Sequence, residues 1–206
     1  MWDWVVSNSS GLNTLLNIAM LLVWIGYLQV FLMSFQRANR AMIHIDSAVQ
    51  DGRDARCIIA NMGSEAVYVV GVQVKLTDGD KTVASLVSDR SEHTLAVDKE
   101  FRGQTLQGPL APGESLDVGS FRNLCSRAAY RLGQDLNLDN CTKVEITVAI
   151  AAQQAHRILG AHKSFSIEGD ESANLSFRPD RILTEQISSR RRRKALEQRM
   201  LEISPE

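Results

Sequence analysis

The chain changes its hydrophobic pattern near residue 40. Residues 12–35 carry apolar side chains almost without interruption and no charged one, in the sequence LNTLLNIAMLLVWIGYLQVFLMSF. A helix rises about 1.5 Å per residue, so this segment reaches about 36 Å, enough for a hydrocarbon core of about 30 Å. The pattern therefore predicts one transmembrane helix over residues 12–35.

Beyond residue 40 the apolar stretches become short and often alternate with polar residues, which is typical of β-strands. About seven strands are predicted, within residues 41–46, 55–62, 65–77, 81–88, 106–119, 143–152 and 157–168. Asp78-Gly79-Asp80 predicts a hairpin turn between two of them. Gln153-Gln-Ala-His156 indicates a second hairpin between the last two.

These elements predict a mainly β domain over residues 41–170. The strands do not alternate regularly with helices, which argues against a parallel α/β sheet. One helix is predicted within the domain, over residues 120–132, from apolar residues at helical spacing. The strand number favours two stacked antiparallel sheets in an immunoglobulin-like sandwich, and a small barrel is the alternative.

The C-terminal segment, residues 171–206, is predicted to be a helical and basic tail. Its composition becomes helical from Pro179 onward, with Asp180 as the N-cap. Five consecutive cations interrupt its apolar residues: Arg190, Arg191, Arg192, Arg193 and Lys194. Such a block can bind anionic lipid, bind nucleic acid or simply be solvated. Arg37 and Arg40 are further candidates for contact with lipid or another anionic partner.

Charge around the apolar segment predicts its orientation. Arg37 and Arg40 follow it, whereas Asp3 is the only charged residue before it. By the positive-inside rule the C-terminal side is cytoplasmic, residues 1–11 are translocated and residues 36–40 form a basic linker. The same order of charges disfavours a cleaved signal peptide, which needs positive charge before its apolar run.

Three residues of the predicted span suggest a packing face. Ala19 and Gly26 are seven residues apart and lie on nearly one side of a helix, where small residues permit close approach. Gln29 lies about 60° around the helix from Gly26, and its amide favours a hydrogen-bond partner from another helix. A passive anchor that tolerates one amide is the alternative.

The sequence predicts neither a catalytic site nor a cofactor. It contains no nucleophile elbow, phosphate-binding loop or zinc-protease helix motif. His156 and His162 could share one face of a strand but lack a third ligand for zinc. Cys57, Cys125 and Cys141 are an odd number without CxxC spacing, so we expect buried thiols.

Four short segments carry a resemblance to a family: Trp24-Ile-Gly-Tyr-Leu-Gln29, Asp54-Ala-Arg-Cys57, Asn61-Met-Gly-Ser-Glu65 and Gln107-Gly-Pro-Leu110. With them the chain resembles proteobacterial single-pass membrane proteins with a soluble β-sandwich domain, over residues 12 to about 170. The resemblance implies a bacterial inner-membrane protein and implies no activity.

Two functions remain open at the level of sequence. The first is a non-enzymatic, membrane-anchored scaffold whose cytoplasmic β-domain binds a partner protein at the inner membrane. The second is a subunit of a homo-oligomeric membrane assembly, a pore or an effector, packed through its helix. The net charge of −1 argues against a chain built to cover nucleic acid, and no small-molecule substrate is indicated.

Overall fold

The structure, a computed structural model, describes residues 9–38, 40–48, 55–79, 81–87, 105–131, 141–152, 158–169 and 175–203. Helices and strands are numbered in chain order. The chain divides into two compact units, Met1–Arg40 and Ala41–Glu206, and each unit is described by itself.

In its described residues, the first unit contains helix α1 (Ser9–Ala38). Its stretch Ser9–Phe35 is long and apolar enough to cross a membrane, as predicted, although a signal sequence would have the same length and hydropathy. Large apolar side chains are exposed on every side of α1. Such a surface is unfavourable in water, so the helix requires lipid or another protein around it. Residues 1–8, including Asp3, lie outside the described residues.

In the described part of the second unit, ten strands form two antiparallel sheets. The smaller sheet has the order β1-β2-β6, from β1 (Ile43–Ala48), β2 (Arg56–Asn61) and β6 (Ser115–Ser120). The larger sheet has the order β10-β8-β7-β3-β4, from β3 (Val67–Asp78), β4 (Lys81–Val87), β7 (Lys143–Ala152), β8 (Ile158–Glu168) and β10 (Glu185–Ile187). Two further strands join it, β5 (Gly108–Leu110) on β3 and β9 (Ser176–Pro179) on β8. The prediction of a mainly β domain with antiparallel sheets is confirmed.

Both sheets contribute side chains to one core. Alternation along each strand turns every second side chain inward, as with Ile43 and Ile45 on β1 and Val144 and Ile146 on β7. Phe121 stacks on Phe177 at 4.9 Å and meets Phe165 edge-on at 4.7 Å, measured between ring centroids. Aromatic pairs of this kind add about 0.5–1.5 kcal/mol beyond the area that they bury.

The predicted helix in the middle of the domain is helix α2 (Phe121–Arg131). The Ser120 hydroxyl accepts a hydrogen bond from the Asn123 amide at 3.2 Å and so caps the first turn. Its apolar face, including Leu124 and Ala128, is fully buried in the core. Helical spacing alone therefore identified this element correctly.

Both predicted hairpins correspond to paired strands. β3 pairs with β4, and Gly79 at their connection has φ +53°, a conformation that glycine adopts without strain. β7 pairs with β8 over almost their whole length. Asp80 and residues 153–157, which the turn predictions included, lie outside the described residues.

The expected helix from Pro179 onward is wrong for its first part. Pro179 ends strand β9, residues 185–187 form strand β10, and helix α3 begins only at Arg190 and runs to Ile203. Asp180 is not an N-cap, because the helix begins only at Arg190. Its carboxylate instead accepts a hydrogen bond from the Ser166 hydroxyl at 2.6 Å. Backbone pairing of β9 and β10 with β8 outweighs the local helix propensity.

Helix α3 packs on the side of the larger sheet that faces away from the main core. Leu196 and Met200 form a second buried cluster with Leu86 and Ala149. Gly160 on β8 makes this contact possible, because a Cβ there would lie 2.5 Å from a Leu196 methyl group and 3.0 Å from the Val148 carbonyl oxygen. The helix thus belongs to the folded domain.

We expect Gly160→Ala to destabilise the domain by about 1–3 kcal/mol, the usual cost of overpacking. Urea denaturation in detergent measures the free energy of unfolding, and limited proteolysis reports release of α3. The double variant Gly160→Ala/Leu196→Ala should lose clearly less than the sum of the two single variants, because the shortened side chain removes the closest clash. Strict additivity would contradict the packing of α3 through Gly160.

Candidate functional site

The outer edge of β1 is closed by side chains of residues 184 and 186. The Gln186 amide accepts a hydrogen bond from the Ile43 N–H at 3.2 Å and donates one to the Ile43 carbonyl at 2.6 Å. The Thr184 hydroxyl accepts one from the Ile45 N–H at 2.8 Å. These side chains occupy the place of a neighbouring strand, so they join the two sheets and protect an edge that could otherwise pair with another chain.

Lys163 completes this junction from inside the domain. It lies on β8 in the inward row between Ala161 and Phe165 and is only 3% exposed. Its ammonium donates hydrogen bonds to Asp46 Oδ1 at 3.2 Å and to the Ile182 carbonyl at 3.1 Å. A buried charge persists only when it is paired in this way, so Lys163 ties β1 and the loop at residue 182 to β8.

Two carboxyl groups beside Lys163 are held in their charged form. Partial burial would raise the pKa of Asp46, but the Ser47 N–H and the Lys163 ammonium outweigh it and lower that pKa. Hydrogen bonds from Ser166 and Lys143 lower the pKa of Asp180. Both groups therefore stay ionised at neutral pH and fix the loop that begins at Asp180.

The loop between β9 and β10 presents two aliphatic side chains to solvent. Ile182 is 86% exposed and Leu183 is 76% exposed, the highest values among the large apolar side chains in the described ranges. The flanking Arg181 lies 3.9 Å from Glu185, and Arg192 of α3 forms an ion pair with the same carboxyl group. Glu185 therefore brings the loop and the first turn of α3 together, and its pKa is lowered chiefly by the hydrogen bond from Arg192.

We call these neighbouring residues the basic–aliphatic surface; it consists of Arg181, Ile182, Leu183, Arg190, Arg191, Arg192 and Lys194. The predicted basic block is thus the start of a docked helix. Arg190, Arg191 and Lys194 are exposed and have no ion-pair partner within the described part of the chain. Arg193 instead is half-buried, and its Nε is buried without a hydrogen-bond partner among those residues.

The other predicted site residues belong to the first unit. Ala19, Gly26 and Gln29 are exposed along α1, and a Cβ added at Gly26 would meet nothing within 4 Å. Arg40 is exposed. Arg37 lies within the helical backbone, but its side chain is outside the described part of the structure.

A polar cavity of about 300 Å³ opens beside the basic–aliphatic surface. Its lining includes Lys143, His162, Lys163, Asp180 and Glu185. The charged groups are largely paired: Lys143 lies 3.0 Å from Asp180, and Arg181 lies 3.9 Å from Glu185. Paired lining of this kind stabilises the junction and leaves little unbalanced charge to bind a small ion.

A second, less polar groove of about 490 Å³ lies where β5 approaches β6. Its lining includes Leu106, Pro109, Leu110 and Leu116. This volume falls in the range of sites that bind ligands or peptide side chains. The groove opens between strands of different sheets, at the side of the core away from the β1 junction.

Asn61 fixes the rim of this groove. Its buried amide donates hydrogen bonds to the Glu65 carbonyl at 2.8 Å and to the Leu110 carbonyl at 3.0 Å. The Gly113 N–H also donates to the Asn61 carbonyl at 2.8 Å. Asn61 therefore holds Leu110, which lines the groove, in a fixed position.

The remaining candidates are the three cysteines and the groups that could bind a metal ion. All three cysteines are buried thiols, as expected. Burial raises the pKa of the Cys57 thiol to about 12 and raises those of Cys125 and Cys141, which opposes formation of a nucleophilic thiolate. Within the described ranges no group of three or more His, Cys, Asp or Glu side chains could hold a metal ion. His156 lies outside those ranges.

Sequence reasoning missed Asn61, Lys163, Ile182 and Leu183. Lys163 carried a usable signal, because a lysine in the inward row of an alternating strand needs a partner. The aliphatic pair carried none, since it lay inside the segment that was expected to be helical. Only the pairing of β9 and β10 turned that segment into an exposed loop.

We expect Asp46→Asn to destabilise the domain by about 1–3 kcal/mol, because it leaves the Lys163 ammonium buried without its carboxylate. The loss should fall near the lower end, since Asp46 is 55% exposed. Lys163→Met should be nearly neutral, because removing a buried charge removes its desolvation cost too. Urea denaturation in detergent measures both, and equal large losses would contradict this account.

The same pair predicts a pH dependence. A carboxyl group with a lowered pKa stabilises the folded state above its unfolded pKa, near 3.8 for Asp46. That contribution is lost as the pH falls through the lower, folded value. The stability difference between wild type and Asp46→Asn should therefore be constant near neutral pH and shrink below about pH 4. A difference that grew in acid would reverse the assignment.

The geometry thus provides two surfaces for binding, the groove and the basic–aliphatic surface, and an apolar helix that needs cover. No protein-family model, curated protein or solved structure matches the chain.

Proposed function

We propose that the protein is a membrane-anchored, non-enzymatic scaffold whose β-domain binds a partner protein at the cytoplasmic face of a bacterial inner membrane. Helix α1 is the anchor, supported by its length and by apolar side chains exposed on every side. Residues 1–11 would lie outside and the domain inside, in line with Arg37 and Arg40 after the apolar segment.

The proposal includes the immunoglobulin-like sandwich and the proteobacterial resemblance. Two antiparallel sheets that share one core support the first. The second rests on the four sequence segments alone.

The observation that carries the scaffold function is the preformed groove between β5 and β6. Its rim is held by the buried Asn61, so a partner would not have to order it on binding. Its apolar floor at Leu106 and Leu110 and the neighbouring strand edges suit an extended peptide segment. A protein segment is therefore the ligand that we propose.

The alternative is a homo-oligomeric assembly, a pore or an effector, packed through α1. Gly26 and Ala19 favour it, since small residues on nearly one side of a helix permit the close approach that helix packing uses. In such an assembly Ala19 and Gly26 would lie at the helix contact. Gln29 would then hydrogen-bond across it.

The anchor is tested by fractionation and reporters on the full chain. We expect the protein to stay with membranes after carbonate extraction and to keep its full mass. A fused reporter should place its C-terminus in the cytoplasm, because the cations follow the apolar segment. A shortened N-terminus would indicate a cleaved signal sequence, and a periplasmic C-terminus would reverse the topology.

The groove is tested by purification from native membranes with matched variants. Ser115→Arg places a charge at the groove, whereas Ser176→Arg makes the same change at the exposed start of β9. We expect the first to reduce recovery of the partner at least about tenfold and the second to leave it unchanged. Equal recovery with both variants would contradict the groove. A stable homo-oligomer that dissociates on Gln29→Leu would support the alternative.

A further inference from the structure

Ile182 and Leu183 are held outward by a fixed loop. Lys163 binds the Ile182 carbonyl, Asp180 is fastened by Ser166 and Lys143, and Thr184 is bound to β1. Their exposure is therefore a property of the folded domain. Two adjacent aliphatic side chains form a patch far smaller than the roughly 800 Å² per partner of a standard protein interface.

Cations lie on both segments that Glu185 joins, the aliphatic loop and the first turn of α3. Arg181 precedes the aliphatic pair, and Arg190, Arg191 and Lys194 lie on the neighbouring helix without carboxylate partners among the described residues. A bilayer containing anionic lipid matches this combination, because aliphatic tips enter the interface while cations meet headgroups. It also needs no shape complementarity from the surface that it receives.

Helix energetics give an independent argument. The first turn of α3 contains no acidic residue and begins with four arginines. Cations are disfavoured at a helix N-terminus, where the macrodipole is positive. The stability of α3 therefore does not explain why arginines occupy its first turn. Binding of an anionic surface at the same helix end would explain them.

Chain connectivity also brings this surface close to a membrane once α1 is anchored. Residues 35 and 43 can be separated by at most about 28 Å, whatever the arrangement of the two units. Residue 43 begins β1, and β1 runs directly beside residues 182–186 through its bonds to Thr184 and Gln186. The aliphatic loop thus lies next to the strand by which the chain enters the domain.

We propose that the basic–aliphatic surface docks the domain on the anionic leaflet of the membrane in which α1 is anchored. Ile182 and Leu183 enter the interfacial region, and Arg181, Arg190, Arg191 and Lys194 bind lipid phosphates. The inference rests on the proposed membrane anchorage and is independent of the groove. Docking fixes the orientation of the domain, so that the scaffold presents its groove in one direction.

An introduced thiol can report this docking, because the three native thiols are buried. The full chain carrying Leu183→Cys is labelled with an environment-sensitive fluorophore and reconstituted in nanodiscs of phosphatidylcholine, with or without phosphatidylglycerol. We expect a blue shift only with the anionic lipid. The same label at Thr82→Cys, an exposed position on the edge strand β4, should not shift.

Charge reversal provides a matched control. Lys194→Glu removes one docking cation and adds an anion, so the docked fraction should fall with an equilibrium change of about thirtyfold. Lys81→Glu makes the same change at the exposed first residue of β4 and should leave the fluorescence shift intact. Loss of the fluorescence shift with both variants would mean that only the net charge of the domain matters, and it would overturn the proposal.

Three further results separate the possibilities. A chain that incorporates into nanodiscs but shows no anionic shift overturns docking and leaves the anchor standing. A chain that fails to incorporate, yet shifts when anionic vesicles are added, supports docking and overturns the anchor. A shift produced by added RNA or DNA but not by lipid assigns the surface to nucleic acid and overturns the proposal.

Discussion

The outer edge of β1 is the constraint on which most of the domain depends. An edge strand must satisfy its backbone groups, and here Thr184 and Gln186 do so with side chains instead of a further strand. The buried Lys163 adds a charged link from β8 to Asp46 and to the Ile182 carbonyl. One junction therefore joins the two sheets, shapes the loop after β9 and brings the chain to the start of α3.

The junction also explains why an unusual surface persists. The loop that carries Ile182 is held by hydrogen bonds at the Ile182 carbonyl, Asp180 and Thr184. Its two aliphatic side chains therefore stay exposed in the folded domain. Helix α3 is fixed nearby through Leu196 over Gly160. Rigid supports on both sides keep cations and aliphatic groups together, so the surface is ready to bind without further ordering.

The groove and the basic–aliphatic surface place different demands on a ligand. Apolar side chains and the fixed Asn61 rim define the groove, which suits the side chains of an extended segment. The basic–aliphatic surface combines exposed cations with two aliphatic side chains, a combination that suits a lipid interface. In the proposed scaffold, one anchor helix and these two surfaces would hold a partner in a set orientation.

The sequence by itself determined the apolar helix, most strands between residues 43 and 168 and helix α2, because in each of them local spacing agrees with burial. It did not separate β5 from β6, which the pattern placed in one segment over residues 106–119 but which belong to different sheets. It could not determine β9 and β10, which are short and polar and become strands only by pairing with β8. Tertiary structure alone decided that Arg190–Lys194 begin a docked helix, because the helix is held to the sheet by the packing of Leu196 on Gly160. It also decided that Lys163 and Thr184, both far from β1 in the chain, bond to it at Asp46 and Ile45. Local patterns set which face of an element is apolar; only the folded chain sets what that face meets.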